Sequence, residues 1–299
     1  MEKNQVSLTA LMAAYIRAYH ASYDAPKVFD DFLAYRFIPE GRRILIEQGL
    51  TRALNFNDVA LPALDPNQMG AIARILQSMG ASSVLGRSRY TEDSLEKAVK
   101  QGVKQYVILG AGMDTFAFRC LELVTQLQLF EVDHPATQAF KRHRIDELGW
   151  EIPSQLQFVP VDFTQDDLGA MLLKASFDPQ IPSFFSWLGV TMYLTRDEVF
   201  TTLRAIAQVA PAGSMVIFDY LDIDPGQPTS DMRMSLAQKS GEKMKTGLDP
   251  SALAENLDRL GLRLHQNLSP SDIEARYFKG RTDGYDANKH TYFACAVVA

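Results

Sequence analysis

Between residues 105 and 220, short apolar runs rich in β-branched and aromatic residues alternate with amphipathic stretches. The runs fall at 106–109, 127–132, 156–161, 184–188 and 215–220, and amphipathic segments lie between them near 136–148, 166–173 and 197–209. Alternation of this kind demands a parallel sheet with right-handed crossovers and helices on both faces. Two more strands are predicted at 262–268 and 290–298, after a helix over 251–260, and they suit a sheet that finishes with an antiparallel edge. The expected fold class is therefore α/β, a Rossmann-like sheet that is mostly parallel with an antiparallel last strand.

The first hundred residues carry a different pattern. Leu8, Leu11, Met12, Tyr15, Ile16 and Tyr19 recur at helical spacing. Asp65-Pro66 opens a second helix carrying Met69, Ile72, Ile75, Leu76 and Met79, which stops at Gly80, and a third is predicted over 94–100 before Gly102. Residues 1–102 are thus expected to form a helical cap and residues 103–299 the core, with a polar, Met-rich insertion near 222–245. With 299 residues and 46% hydrophobic side chains, one large α/β domain with such an annex can bury an ordinary core.

Charge and composition exclude several functions. A net charge of −6 argues against a surface dedicated to nucleic acid or to an anionic membrane. No apolar run approaches the ~20 residues needed to span a bilayer. The N-terminus lacks the basic region and apolar stretch of a signal peptide, so the cytoplasm is the expected compartment. Cys120 and Cys295 have no metal-ligand spacing, and no metal site is expected.

Chemistry enters at Leu109-Gly110-Ala111-Gly112-Met113-Asp114-Thr115. A buried strand runs into two glycines, which permit a sharp turn and close approach of backbone to a ligand. About twenty residues on, the second strand ends in Glu131-Val132-Asp133, where a carboxylate can accept hydrogen bonds from both ribose hydroxyls of a nucleoside. The dinucleotide fingerprint wants a third glycine, but Thr115 and Phe116 occupy that neighbourhood. A pyrophosphate would also meet the carboxylate of Asp114, whereas adenosylmethionine is cationic at its sulfonium and ammonium. The third strand ends in Val161-Asp162-Phe163, where Asp162 could accept from an adenine amino group and Phe163 pack on the ring; Asp162 could equally begin a turn ahead of Thr164.

Taken together, "YVILGAGMDTFAFR", "FEVDHPATQAFKRHRI", "VPVDF" and "SFFSWLGVTMYLTRDEV" resemble the leucine carboxyl methyltransferase family, and "RAYHASYDAPKVFDD" is similar to that family's helical lid. The resemblance implies a class I methyltransferase sheet that binds S-adenosyl-L-methionine and releases S-adenosyl-L-homocysteine. The cofactor residues it implies are Arg87, Gly110, Asp133, Asp162 and Phe163, with Arg87 holding the cofactor carboxylate and Arg89 as the alternative. The family's carboxyl methyltransferases carry a glutamate after the fourth strand, where this chain has Leu188. The expected activity is O-methylation of a carboxyl or hydroxyl group on a small-molecule acceptor. An NAD(P)-dependent oxidoreductase and a non-catalytic cofactor-binding relative are the competing readings. No catalytic base is named: His134 and His143 lie near the cofactor strand, and Tyr193 could line the acceptor pocket.

Overall fold

The computed structural model describes residues 6–55, 66–222 and 244–299. Most of the insertion expected near 222–245 lies outside the described residues. A seven-stranded sheet organises the chain in the order β3-β2-β1-β4-β5-β7-β6. Its strands are β1 (Gln105–Leu109), β2 (Gln128–Asp133), β3 (Leu156–Pro160), β4 (Ser183–Trp187), β5 (Met215–Leu221), β6 (Leu262–Leu268) and β7 (Thr291–Val298). The first five run parallel, while β7 pairs antiparallel with both β5 and β6. The antiparallel strand is therefore the last in the chain but not the edge: it slots between β5 and β6, which returns β6 to the common direction. The sheet is the mostly parallel, Rossmann-like one expected from the alternation of strands and helices.

Every strand named from its apolar run is present, within a residue or two at its ends. The helices are α1 (Leu8–Tyr23), α2 (Glu40–Asn55), α3 (Pro66–Ser78), α4 (Ala81–Lys100), α5 (Phe116–Arg119), α6 (Leu121–Val124), α7 (Pro135–Glu147), α8 (Leu168–Lys174) and α9 (Arg196–Val209). A short helix follows at Leu253–Asp258, inside the stretch predicted over 251–260. One core cluster gathers Tyr106, Ile108, Leu129, Phe184 and Ile217 of the sheet with residues of α1, α3 and α4. The other gathers Val107, Leu109, Phe130, Phe185 and Phe218 with α8 and α9. Alternate strand residues feed opposite faces, as the two-residue period of a strand requires.

Two helical expectations are corrected. The helix predicted over 94–100 is only the end of α4, which starts at Ala81 directly after Gly80, a left-handed residue at φ +86°. Its first half hides behind weak helix formers. Ser88 donates to the Val84 carbonyl, and a Cβ at Gly86 would sit 3.3 Å from the Phe293 ring. Helix α2 has no counterpart in the prediction. It carries Gly41 and Gly49, and its apolar residues Ile44, Leu45 and Ile46 are consecutive rather than spaced along one stripe. Isoleucine 44 and Leu45 remain exposed.

Candidate active site

Five parallel strands present their C-terminal ends on one side of the sheet, where an open α/β sheet binds its ligand. Strand β1 ends in Gly110 at φ +69° and continues to Gly112 at φ +50°, both in the region that favours glycine. The turn is crowded as well as left-handed. A Cβ at 110 would overlap Val190 Cγ2, and one at 112 would come 3.1 Å from the Cβ of Ala10 on α1. Helix α1 thus lies directly on the glycine turn. Asp114 accepts from the Phe116 amide at 2.7 Å and so caps the turn's exit into α5.

Asp133, at the tip of β2, leans back over this turn. Its Oδ2 accepts from the Gly112 amide and its Oδ1 from the His134 amide, the latter at 2.6 Å. Burial pushes its pKa up against the pull of those two amides. Each carboxylate oxygen has a second lone pair, so both can still accept a ribose hydroxyl. Glu131, the alternative ribose ligand, turns elsewhere: it is buried and bonded to Lys141 Nζ at 2.6 Å.

Arg87 lies on α4 and reaches the ends of β4 and β5. Its Nη1 donates to Asp219 Oδ2 at 2.8 Å, and its guanidinium lies against Gly189, where any Cβ would overlap Nη2. Arg89 points away, exposed and paired with Asp93 on its own helix. At the β3 end, Asp162 builds a turn. Its Oδ1 accepts from the amide and hydroxyl of Thr164, and its Oδ2 from Gln165. Desolvation opposes these bonds, but the bonds prevail and its pKa is lowered, so the carboxylate is charged at neutral pH. Phe163 packs 6.0 Å from the Trp187 ring at the end of β4.

Leu188 is half-buried against the first core cluster, as an apolar side chain should be. The neighbourhood is nevertheless not without an acid, because Asp219 reaches it from β5. That residue escaped the sequence reading, although an aspartate inside the apolar run "VIFDYL" was a visible signal. A second group was also missed. Buried Asp31 accepts from Arg17 Nε at 2.8 Å and from the Thr115 hydroxyl at 2.7 Å. Arg17 also donates to the Met113 carbonyl at 2.7 Å, and Arg119 pairs with Glu92. These bonds lock the segment after α1 onto the residues just past Gly112.

The histidines with described partners near the cofactor strand serve structure. His134 caps α7, its Nδ1 accepting from the Ala136 amide at 3.2 Å, and His143 pairs with Glu147 on the exposed side of α7. Tyr193 ends a 3-10 turn, Thr191–Tyr193, that follows β4. Among the described residues no cluster of three metal-ligating side chains occurs, and no helix is long and apolar enough to cross a membrane.

These residues fit an adenosyl cofactor. A left-handed glycine turn follows β1, a carboxylate stands at the β2 tip, an aromatic ring at the β3 end and a guanidinium at the β4 end. The comparisons agree. Over 303 aligned residues the chain is 37% identical to the "Putative S-adenosyl-L-methionine-dependent methyltransferase YktD" of Bacillus subtilis (strain 168), covering 99% of each. A similarly named protein of Frankia alni is 32% identical over 214 residues, 72% of this chain and 68% of its own. A DUF574 family protein from Streptomyces avermitilis shares the fold at a TM-score of 0.56 and 14% identity, over 80% of this chain and 93% of its own. The family model "Leucine carboxyl methyltransferase" matches residues 10–207. With that match over glycine turn, β2 acid and β4 loop alike, the oxidoreductase reading falls away: the chain belongs to the leucine carboxyl methyltransferase family and is an S-adenosylmethionine-dependent methyltransferase.

Proposed function

We propose that this methyltransferase passes its methyl group to an oxygen of a small molecule bearing a carboxyl or hydroxyl group, and that it works in the cytoplasm. The observation that carries the acceptor reading is the closeness of α1 to the glycine turn, with Ala10 seated over Gly112. A helix pressed on the cofactor turn leaves a small acceptor an easier approach than a folded protein's terminus. Leu188 adds to this, since an apolar side chain cannot satisfy the polar groups of a peptide end buried beside it. The thiols support the compartment: Cys120 and Cys295 are both unpaired, and burial pushes each up to about 12.

When bound, the cofactor would supply a methyl carbon on a sulfonium, open to in-line displacement by the acceptor oxygen with the C–S electron pair leaving on sulfur. The protein's part is alignment and exclusion of water, which can supply several kcal/mol. Arg87 would hold the cofactor's carboxylate, Asp133 its ribose and Phe163 its adenine, with the turn at Gly110 and Gly112 between them. A carboxylate acceptor is ionised at pH 7 and needs no base, whereas a hydroxyl must lose a proton.

The test offers the protein S-adenosylmethionine with a panel of aromatic and aliphatic hydroxy and carboxy acids and a leucine-ended peptide. Methylated product from a small acid or phenol, with S-adenosylhomocysteine formed in equal amount, is expected. Alkali-labile product marks a carboxyl ester and stable product an ether. Methylation of the peptide alone would refute the small-acceptor reading.

A further inference from the structure

We infer that Asp219 is the positioning residue for the amino-acid end of the cofactor, an inference that rests on reading Arg87 as the ligand of the cofactor carboxylate. Asp219 is almost wholly buried, at 1% exposure, and spends each carboxylate oxygen on a different part of the site. Oδ2 takes Arg87 Nη1 at 2.8 Å and Oδ1 takes the Gly189 amide at 2.6 Å. Its backbone carbonyl accepts the Thr191 hydroxyl at 2.6 Å. One residue of β5 therefore ties together a side chain of α4 and the turn that leaves β4.

The arrangement fixes more than a charge pair. Gly189 adopts φ +70°, and its missing side chain is the space the Arg87 guanidinium fills. The guanidinium is held by Asp219 on one edge and pressed by the Gly189 backbone. Arg87 keeps 13% exposure, and its Nε and Nη2 have no hydrogen-bond partner among the described residues. An arginine has five donors in a planar fork, so one edge can be anchored while another meets a second carboxylate. The anchored edge sets the plane in which the other can receive an anion, at no ordering cost on binding.

The charge of Asp219 sharpens the inference. If it merely neutralised Arg87, its removal would strengthen the hold on an anionic ligand. If it positions Arg87, removal weakens that hold, and only for ligands that carry the amino-acid end. The test measures calorimetric affinity of Asp219→Asn and of the unaltered protein for two probes. S-adenosylhomocysteine has the amino-acid end; 5′-methylthioadenosine shares its adenosine and thioether but lacks that end.

The expected result is at least a tenfold loss for S-adenosylhomocysteine with less than a twofold change for methylthioadenosine. An equal loss for both probes, or a gain for S-adenosylhomocysteine, overturns the inference. Arg87→Lys separates the two layers of the argument. A selective loss in Arg87→Lys without one in Asp219→Asn sinks the positioning role alone. No selective loss in either sinks the reading of Arg87 as well. Should Asp219→Asn fail to fold, Asp219→Glu carries the test, because it keeps the charge but moves the carboxylate away from Arg87 Nη1 and the Gly189 amide and should give the same selective loss. An equal loss for both probes there, or none, overturns the inference.

Discussion

Gly110→Ala tests whether the cofactor turn is shaped by steric exclusion. The residue sits at φ +69°, so an L side chain there costs about 1–2 kcal/mol in backbone strain. The added Cβ also overlaps Val190 Cγ2, and overpacking of that kind costs about 1–3 kcal/mol. The single substitution should therefore lower stability by roughly 2–5 kcal/mol, which a domain of ordinary stability survives in weakened form. Val190→Ala removes the overlapping methyl but keeps the Val190 Cβ, which lies 3.6 Å from the new carbon and so in ordinary contact. In that background Gly110→Ala should cost only the strain. The two substitutions should thus couple by about 1–3 kcal/mol, the double variant being more stable than the sum of the singles predicts. Urea unfolding of the four proteins measures this. Additivity within about 0.5 kcal/mol would refute the clash as the reason for glycine.

Asp133→Ala should weaken S-adenosylhomocysteine binding by about 1.5–3 kcal/mol in a calorimetric titration, and it should also lower stability, because the Gly112 and His134 amides lose their acceptor. Unchanged affinity would remove Asp133 from the cofactor site. Lys141→Met strands the buried Glu131 carboxylate, whose Oε1 already has no partner, and should cost about 3–5 kcal/mol in urea unfolding; adding Glu131→Gln should recover most of it. Burial raises the Glu131 pKa to about 7, above its unfolded value, so its contribution to stability is greatest below the unfolded pKa and is lost as pH rises through about 7. The urea midpoint should fall across that window, and Glu131→Gln should flatten the fall. Asp31→Ala leaves Arg17 and Arg119 short of a counter-charge and should raise hydrogen exchange along α1 while sparing β4 and β5; uniform exchange would contradict its role as the tie between cap and turn.

Strands were legible because a buried parallel strand has nowhere to put a polar side chain. The run "SFFSW" is buried throughout, and its two serines are satisfied inside: Ser183 by Gln105 at 2.9 Å and Ser186 by the Tyr106 hydroxyl at 2.9 Å. The glycine turn and the acid after β2 were legible because backbone geometry restricts their residue types. What escaped depends on contacts far apart in the chain. Asp219 has meaning only once Arg87, 132 residues earlier, arrives beside it. Asp31 reads as one acid among several until Thr115 and two arginines converge on it. The Asp162 turn was half-legible: its Thr164 bonds are local and were foreseen as one of two readings. Its charged state still leaves an acceptor at the β3 end.

The helical first third of the chain does two different jobs. Helix α4 belongs with the sheet: Gly86 lies against Phe293, the Tyr90 ring stacks on Phe293 at 5.9 Å, and the Tyr90 hydroxyl donates to Gln266 on β6 at 2.9 Å. Removing it would expose the face formed by β7 and deprive the site of Arg87. Helix α1 and the segment around Asp31 instead cover the glycine turn, through Ala10 over Gly112 and through the Arg17 bond to the Met113 carbonyl. The turn is thereby held by Asp133 through the Gly112 amide and by Arg17 through the Met113 carbonyl, and Arg17 is paired in turn with Asp31. The Arg87–Asp219 pair joins the helical third to the sheet, while the Arg17–Asp31 pair, wholly within that third, reaches the residues after β1 through Met113 and Thr115. On the proposed placement of the cofactor, its pocket is accordingly not a property of the sheet to which a lid was added: its anionic end would meet Arg87 of the helical third, which Asp219 of the sheet holds in place.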